Sequence, residues 1–546
     1  MTRPSADVDG SSRPDVSGSQ RAGVDGHLCP DGGTIAAPAP DEPADSLRAY
    51  LAGLEAADEL NRIETRVSWN LEASAITMLA NDRDDRIPLF ESVAESDIPA
   101  RLVGDPYRGP RDRPWDRPAR ALGLPAGLDS DAYYEAIIDR LRHPVAPETV
   151  DPETAPCKDV IRRGSDADLF ALPWPYIHAA DGGRYSNLHT MVAPDPDSSW
   201  TDWSSHRAMI QDGDRASVLL LAGEQTPNLF YYRYERRDEP MPVAIAVGVE
   251  PAAQFTASMW IPTGSDEAAF AGGLKGDTVE LVECTTNDLK VPASAELVIE
   301  GRILPGERLD EGPFGDYFGY MHGPRRSMPV LEVDAVTHRE RPLIPFCVEG
   351  SGVGYSQNTS STTEVACVGP DATLGLRAAG YDVERCVPWR FTPRTVYVVS
   401  TDVPRPGYLH ELANFIFTTW GMLHVDFFIF VDPGVDPLST RDVLEALALY
   451  ADPEEDFHQF GAEAMPKVPL NIYQTPEEKG DAETGTSRSK TAKAYIDATA
   501  GDEDAGIAAT SPSDEHRRER AREILSNAGL ELSLADPSVD PGGDER

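Results

Sequence analysis

The chain has 546 residues, 40% of them hydrophobic, with 92 Asp plus Glu against 49 Lys plus Arg and a formal net charge of −43. A field this negative repels phosphate backbones and anionic membranes, and the chain lacks the basic stripe that displaces counterions from nucleic acid, so both partners are excluded. The length provides for more than one hydrophobic core; at about 150 residues per domain it allows three or four units.

Lysine is scarce and arginine carries nearly all the positive charge. Dense carboxylates keep a protein soluble where salt screens every charge, so the composition reads as that of a halophile. The six cysteines are scattered with no C-x-x-C pair and read as free core thiols. The N-terminus has no apolar secretory stretch, and no run approaches the roughly 20 apolar residues that span a bilayer. The expected location is the cytoplasm.

Residues 1–44 are rich in Pro, Gly, Ser and Asp and poor in large apolar side chains, which predicts a disordered extension. A helix is expected from Ser46, with Leu47, Tyr50, Leu51 and Leu54 on one apolar face. The Pro/Arg-rich segment GDPYRGPRDRPWDRPAR (104–120) reads as a loop. A second helix is expected after Ser130 as N-cap, with Tyr134, Ile137, Ile138 and Leu141 as its face and Pro144 beyond its end.

From about residue 180 the texture changes to short β-rich runs: ASVLLLAG, PVAIAVGVEP, DTVELVEC, AELVIEGRI and PVLEVDAV. SHRAMIQD is expected to be helical between them. A second strand-and-helix unit begins near 355, with strands in TVYVVSTDV and LHVDFFIFVDP and a helix opened by Thr440. The polar stretch after about 476 leads to a last charged helix and a Pro/Gly/Asp tail. The expected division is a 1–44 extension, a 45–350 region holding the main α/β domain, a 351–480 α/β domain, a 481–530 loop and helix, and a 531–546 tail.

Three segments could carry chemistry. In DEGPFGDYFGY (310–320), Glu311 and Asp316 flank a Gly-Pro-Phe-Gly turn. Glycine lets the backbone bend tightly there, and two neighbouring carboxylates in an apolar setting split their pKa values, so one can serve as a general acid. Taken alone, the segment is equally an acidic surface turn. In WTDWSSHRAMIQD (200–212), Arg207 offers a fork that grips a carboxylate with two hydrogen bonds, although an ordinary surface ion pair fits too. In SRSKTAKAYIDA, Lys490 sits in a Gly/Ser-containing stretch that suits a phosphate, or in a solvated linker.

Together, these segments resemble the UbiD family of decarboxylases. The resemblance runs from about 130 to 500. It is tightest over DGGRYSN (181–187), WTDWSSHRAMIQD, ASMWIP (257–262), residues 277–303, EGPFGDYFGY and SKTAKAYIDAT. It implies a mixed α/β fold, with a split-barrel-like flavin-binding domain and a smaller C-terminal α/β domain through which members form homodimers or homohexamers. It implies an enzyme that removes carbon dioxide reversibly from an aromatic or α,β-unsaturated acid on prenylated FMN. A separate flavin prenyltransferase would supply that cofactor, and a divalent metal and potassium would sit at its phosphate. The catalytic trio falls on Arg207, Glu311 and Asp316. Trp203, Ser204, Arg207, Ser258, Met259 and Lys490 match cofactor contacts.

At the metal site the match departs from the family's Asn, His and Glu. Glu267 matches, but Asp202 and Gln225 stand at the other two positions. This all-oxygen set suits magnesium or manganese, while Gln225 could equally be a solvent-facing helix residue. His189 and His206 are left unassigned. A prenylated hydroxybenzoate-type acid in quinone biosynthesis is the expected substrate. The alternative is a flavin- or phosphate-binding scaffold that has lost its chemistry.

Overall fold

The computed structural model describes residues 37–39, 41–221, 223–316, 320–321, 325–350, 358–389, 395–419, 425–466 and 490–500, with positions 517, 520, 521 and 524. Most of the expected N-terminal extension, the stretch 467–489 and the tail lie outside the described residues. So does Cys29; the other five cysteines are free thiols.

The chain opens with a helix over Leu47–Ala56 whose N-cap, Ser46, accepts from the Ala49 N–H, as the sequence predicts. Its apolar face lies on a small sheet of Leu60–Ile63, Ile87–Phe90, Arg101–Gly104 and Leu343–Phe346. The segment after Gly104 has little regular structure before Asp116–Ala121, yet Tyr107 and Arg108 are fully buried. The next helix, Ser130–Leu141, is capped one residue earlier than expected: Asp129, in extended backbone, accepts from Ala132 N at 2.8 Å. The helix Thr440–Tyr450 opens at Thr440 as expected, with Ser439 as its cap.

The main sheet holds nine strands among the described residues. In chain order these are β1 (Val160–Arg163), β2 (Arg184–Ser186), β3 (His189–Pro194), β4 (Thr201–Ser204), β5 (Ala208–Ile210), β6 (Arg215–Val218), β7 (Met241–Val247), β8 (Leu297–Glu311) and β9 (Arg326–His338). They run β4-β3-β7-β8-β9-β6-β5-β2, with β1 also on β9, and every pairing is antiparallel. Register shifts after Glu300 and Ile303 break the long β8–β9 ladder, and such bulges bend and twist a sheet. Gly301 is required at the first: a Cβ there would stand 2.1 Å from the Glu332 carbonyl oxygen. The result is the curled sheet of a split-barrel-like domain.

SHRAMIQD is not helical. Ala208, Met209 and Ile210 pair with β6 on one side and β2 on the other. The helix preference of Ala and Met is weak, and two ladders of hydrogen bonds override it.

The C-terminal unit is a mixed sheet of β10 (Val383–Pro388), β11 (Val396–Thr401), β12 (Phe427–Val431), β13 (Phe457–Pro466) and β14 (Lys490–Ala498), in the order β10-β11-β12-β14-β13. Lys490 therefore opens a strand, in register with Pro466, rather than sitting in a loop. Its side chain lies outside the described residues. Among the described residues no helix is long and apolar enough to cross a membrane.

One buried ion pair ties the N-terminal helix to the sheet. Arg48 and Glu296 are 1% and 0% exposed, and the guanidinium meets the carboxylate through two 2.7 Å bonds. Glu296 also accepts from Leu343 N at 3.0 Å. Arg48→Met should cost about 3–5 kcal/mol in chemical denaturation, because it strips a buried carboxylate of its two short bonds and leaves it the more distant Arg339, 3.5 Å away. Adding Glu296→Leu should recover most of that loss.

Candidate active site

The site grows from the ends of two strands. Arg207 lies in the short link between β4 and β5, and Glu311 is the last residue of β8. The backbone then turns through Gly312, whose φ of +84° favours glycine. Gly182 packs against that turn so closely that a Cβ on it would lie 2.0 Å from the Gly312 carbonyl oxygen. Gly182 N also donates to the Pro313 carbonyl at 2.6 Å. DGGRYSN and EGPFGD are thus two halves of one backbone contact.

This packing places one guanidinium between two carboxylates. Arg207 Nε donates to Glu311 Oε1 at 2.9 Å and Nη2 to Oε2 at 3.3 Å, while Nη1 donates to Asp316 Oδ2. The Phe314 ring lies under the guanidinium, 4.6 Å from centroid to Cζ. Tyr185 donates to Glu311 Oε1 at 3.2 Å and packs on Phe314. Burial works against the Arg207 charge, but Glu311 and Asp316 outweigh it and hold the group above its ordinary range. Burial and then the Glu311 charge push the Tyr185 phenol up, so it remains a donor. Neither Tyr185 nor Phe314 was assigned a role from the sequence, although both stand in the quoted motifs.

A cavity of about 670 Å³ opens in front of this pair, within the usual size range of cofactor sites. Of the residues expected to work together, Asp202, Trp203, Ser204, Arg207, Gln225, Ser258, Met259, Glu267 and Asp316 all line it. Glu311 stands behind Arg207, fully buried. The C-terminal unit closes the far side through Gly375, Ala379 and Phe415. Asp371, on the helix Gly369–Ala378, reaches across to accept from Trp260 N at 2.8 Å, and burial pushes its carboxyl up to about 6.

Asp202 and Glu267 are buried and adjoining. Asp202 accepts from the Thr226 hydroxyl and Glu267 from Trp203 N. Burial raises Asp202 despite that hydroxyl; burial and then the Asp202 charge raise Glu267 well above the usual carboxylate range. Two such groups gain from a cation between them. Gln225 is no solvent-facing residue: it opens the helix Gln225–Leu229 and lines the cavity. Its Nε2 donates to Ile261 O at 2.7 Å, which turns Oε1 into a buried acceptor with no hydrogen-bond partner. Among the described residues no three His, Cys, Asp or Glu side chains form a metal cluster; the two carboxylates adjoin, and Gln225 lines the same cavity.

The unassigned histidines divide. His189 is fully buried, bonded to Ser186 Oγ at 2.8 Å, and burial with His206 nearby pushes it down to about 3, so it is a neutral core group. His206 lines the cavity with Nδ1 3.6 Å from Glu224.

Comparison with known proteins agrees with this geometry. Three family models match: the 3-octaprenyl-4-hydroxybenzoate carboxy-lyase N-terminal domain over 51–141, its Rift-related domain over 148–352 and its C-terminal domain over 379–498. The chain belongs to the UbiD family of carboxy-lyases. It is 31% identical to the pyrrole-2-carboxylic acid decarboxylase of Pseudomonas aeruginosa over 457 residues, 80% of this chain and 89% of that protein. It is 32% identical to ferulic acid decarboxylase 1 of Saccharomyces cerevisiae over 56% of this chain and 63% of that protein. Among solved structures, the closed form of vanillic acid decarboxylase from Sedimentibacter hydroxybenzoicus superposes with a TM-score of 0.78 at 25% identity, covering 88% of this chain and 99% of that one. An evolved dimeric form of the UbiD-class enzyme HmfF from Pelotomaculum thermopropionicum, in complex with prFMN, gives 0.69 at 28% identity, covering 87% and 98%.

Arg207→Leu should leave two buried carboxylates without their shared cation and cost about 3–5 kcal/mol at pH 7. The deficit should shrink on acidification, as protons relieve the repulsion. Chemical denaturation at pH 7 and pH 5 checks both signs.

Proposed function

We propose that this UbiD-family enzyme decarboxylates an aromatic or α,β-unsaturated acid on prenylated FMN, non-oxidatively and reversibly. The observation that carries the reading is the buried Arg207 guanidinium, shared by Glu311 and by a cavity-lining Asp316. The solved HmfF structure with prFMN supports the choice of cofactor. Trp203, Ser204, Ser258 and Met259 would flank the cofactor. When bound, it supplies the electron sink that lets carbon dioxide leave.

The protein's share is position and protons. Glu311 occupies two faces of the Arg207 fork and orients it. Asp316 occupies the third and faces the cavity, so it is the carboxyl that can exchange a proton with substrate. It delivers a proton to the carbon that has lost carbon dioxide. Glu311 cannot, because it lies behind Arg207 and does not line the cavity. A non-catalytic scaffold would have no use for an acid aimed into the cavity in this way.

Asp202, Glu267 and the Gln225 Oε1 would hold a divalent metal, magnesium or manganese, both of which take hard oxygen donors. Potassium would join it at the cofactor phosphate, the group that the family resemblance also assigns to Lys490. In this reading a flavin prenyltransferase supplies the cofactor, and the enzyme is a cytoplasmic homodimer or homohexamer. A prenylated hydroxybenzoate-type acid of quinone biosynthesis is the proposed substrate, in keeping with the name of the family models.

Protein co-expressed with a flavin prenyltransferase and purified in high salt should release a ligand with the mass of prenylated FMN. Asp316→Asn should retain that ligand and lose at least about a hundredfold in carbon dioxide release, the usual share of a general acid; unchanged turnover would overturn the assignment. Manganese at a hundredfold excess over its Kd should add about 2.7 kcal/mol of stability in thermal denaturation. Chelation should reverse the gain and Glu267→Gln should abolish it.

A further inference from the structure

The turn that carries Asp316 is held by two side chains that do not line the cavity, His178 and Asp181. Both lie in the loop that runs into β2. Asp181 is 4% exposed, and its Oδ1 accepts from Gly315 N at 2.8 Å, one residue before Asp316. Its Oδ2 accepts from His178 N at 2.8 Å and faces His178 Nδ1 at 3.3 Å. The imidazole stands against the turn itself: a Cβ on Gly315 would lie 2.3 Å from Nδ1. Its ring also meets the edge of Phe314, 6.0 Å between centroids. With Gly182 N on the Pro313 carbonyl, the loop grips the turn at three successive residues.

Both nitrogens of the His178 ring face oxygens that only accept. Nε2 lies 2.7 Å from the Glu349 carbonyl oxygen, and Nδ1 faces the Asp181 carboxylate. A neutral imidazole has one N–H and would set its lone pair against one of these oxygens; an imidazolium donates to both. The charged groups around the ring are Asp181 on its own loop, Glu349 beyond the strand Leu343–Phe346, Asp316 next to Gly315, and Arg207, which shares the Phe314 ring with it. Burial works against the charge. The Asp181 hydrogen bond and charge, then the Glu349 carbonyl and charge, outweigh it and hold His178 above its ordinary range.

Resting on the decarboxylase reading above, in which Asp316 delivers the proton, we infer that His178 is a positioning residue: as an imidazolium paired with Asp181, it holds the Gly315 end of the turn and fixes where Asp316 meets the cavity. The pair acts through Asp316 and takes no part in the bond-breaking step. It is complete below the ordinary histidine range and is lost as pH rises through the raised midpoint, because the neutral ring no longer donates from Nδ1. Asp181 then keeps its bond to Gly315 N but loses its brace, and the turn loosens.

NMR of the full chain, with histidine carbon-13 labelled at Cε1, follows the ring directly. The His178 signal, identified by its loss in His178→Gln, should titrate above the ordinary histidine value of about 6.5. In Asp181→Asn that midpoint should fall. Hydrogen exchange read by mass spectrometry should show the 311–316 stretch of wild type losing protection as pH rises through the same midpoint. In His178→Gln, which keeps a donor but carries no charge, the stretch should be poorly protected at every pH. In cofactor-loaded protein that variant should lose about tenfold to a hundredfold in kcat, the cost of a misplaced group, with KM unchanged. A His178 midpoint at or below about 6.5 overturns the inference. So does protection of 311–316 that ignores pH in wild type, which would mark a merely structural role and can be read even if His178→Gln does not fold. A His178→Gln enzyme with wild-type kcat overturns it too. If loaded wild type releases no carbon dioxide from any aromatic or unsaturated acid, the decarboxylase reading falls, and the titration and exchange profiles alone decide whether the pair holds the turn.

Discussion

Everything in the site depends on keeping one guanidinium charge buried between two carboxylates. A cation out of water is costly unless its partners and their geometry are in place. Arg207 has three of its donor groups on Glu311 and Asp316 and an aromatic face beneath it. The curled sheet brings this about, because it draws together the β4–β5 link that carries Arg207 and the end of β8 that carries Glu311. The bulges in β8 and β9 are in that sense part of the active site.

The two carboxylates of the pair divide their roles by position rather than by chemical type. Glu311 is sealed behind Arg207 and receives the Tyr185 hydroxyl. Asp316 comes after the Gly-Pro-Phe-Gly turn and emerges at the cavity wall. Only the four residues of that turn separate them, but they approach one guanidinium from two directions. At the other acidic pair, burial raises Asp202, while burial and then the Asp202 charge raise Glu267. The first pair is neutralised by an arginine from the chain itself.

The lining of the cavity draws on both the main sheet and the C-terminal unit, from Asn187 to Phe415. Asp371, reaching from one unit to the Trp260 N–H of the other, is a direct tie between them. Contacts of this kind make the cavity a property of the assembled chain, since no single unit encloses it.

Much of this was legible in the sequence, for reasons that are local. The helix at Ser46 announced itself through its cap and its period, and many of the residues that line the cavity through short motifs whose order the family shares. What the sequence left undecided were matters of partner choice. Whether Ala208–Met209–Ile210 is helix or strand depends on two neighbouring ladders that no local propensity records. Whether Gln225 faces water or the cavity depends on the Ile261 carbonyl, 36 residues away, that takes its amide N–H. Tyr185 acquires meaning from its contact with Glu311, 126 positions away. Residue types and their spacing determined the family and the chemistry available. Only the tertiary structure, by deciding which buried donor meets which buried acceptor, determined which carboxylate is sealed and which lines the cavity.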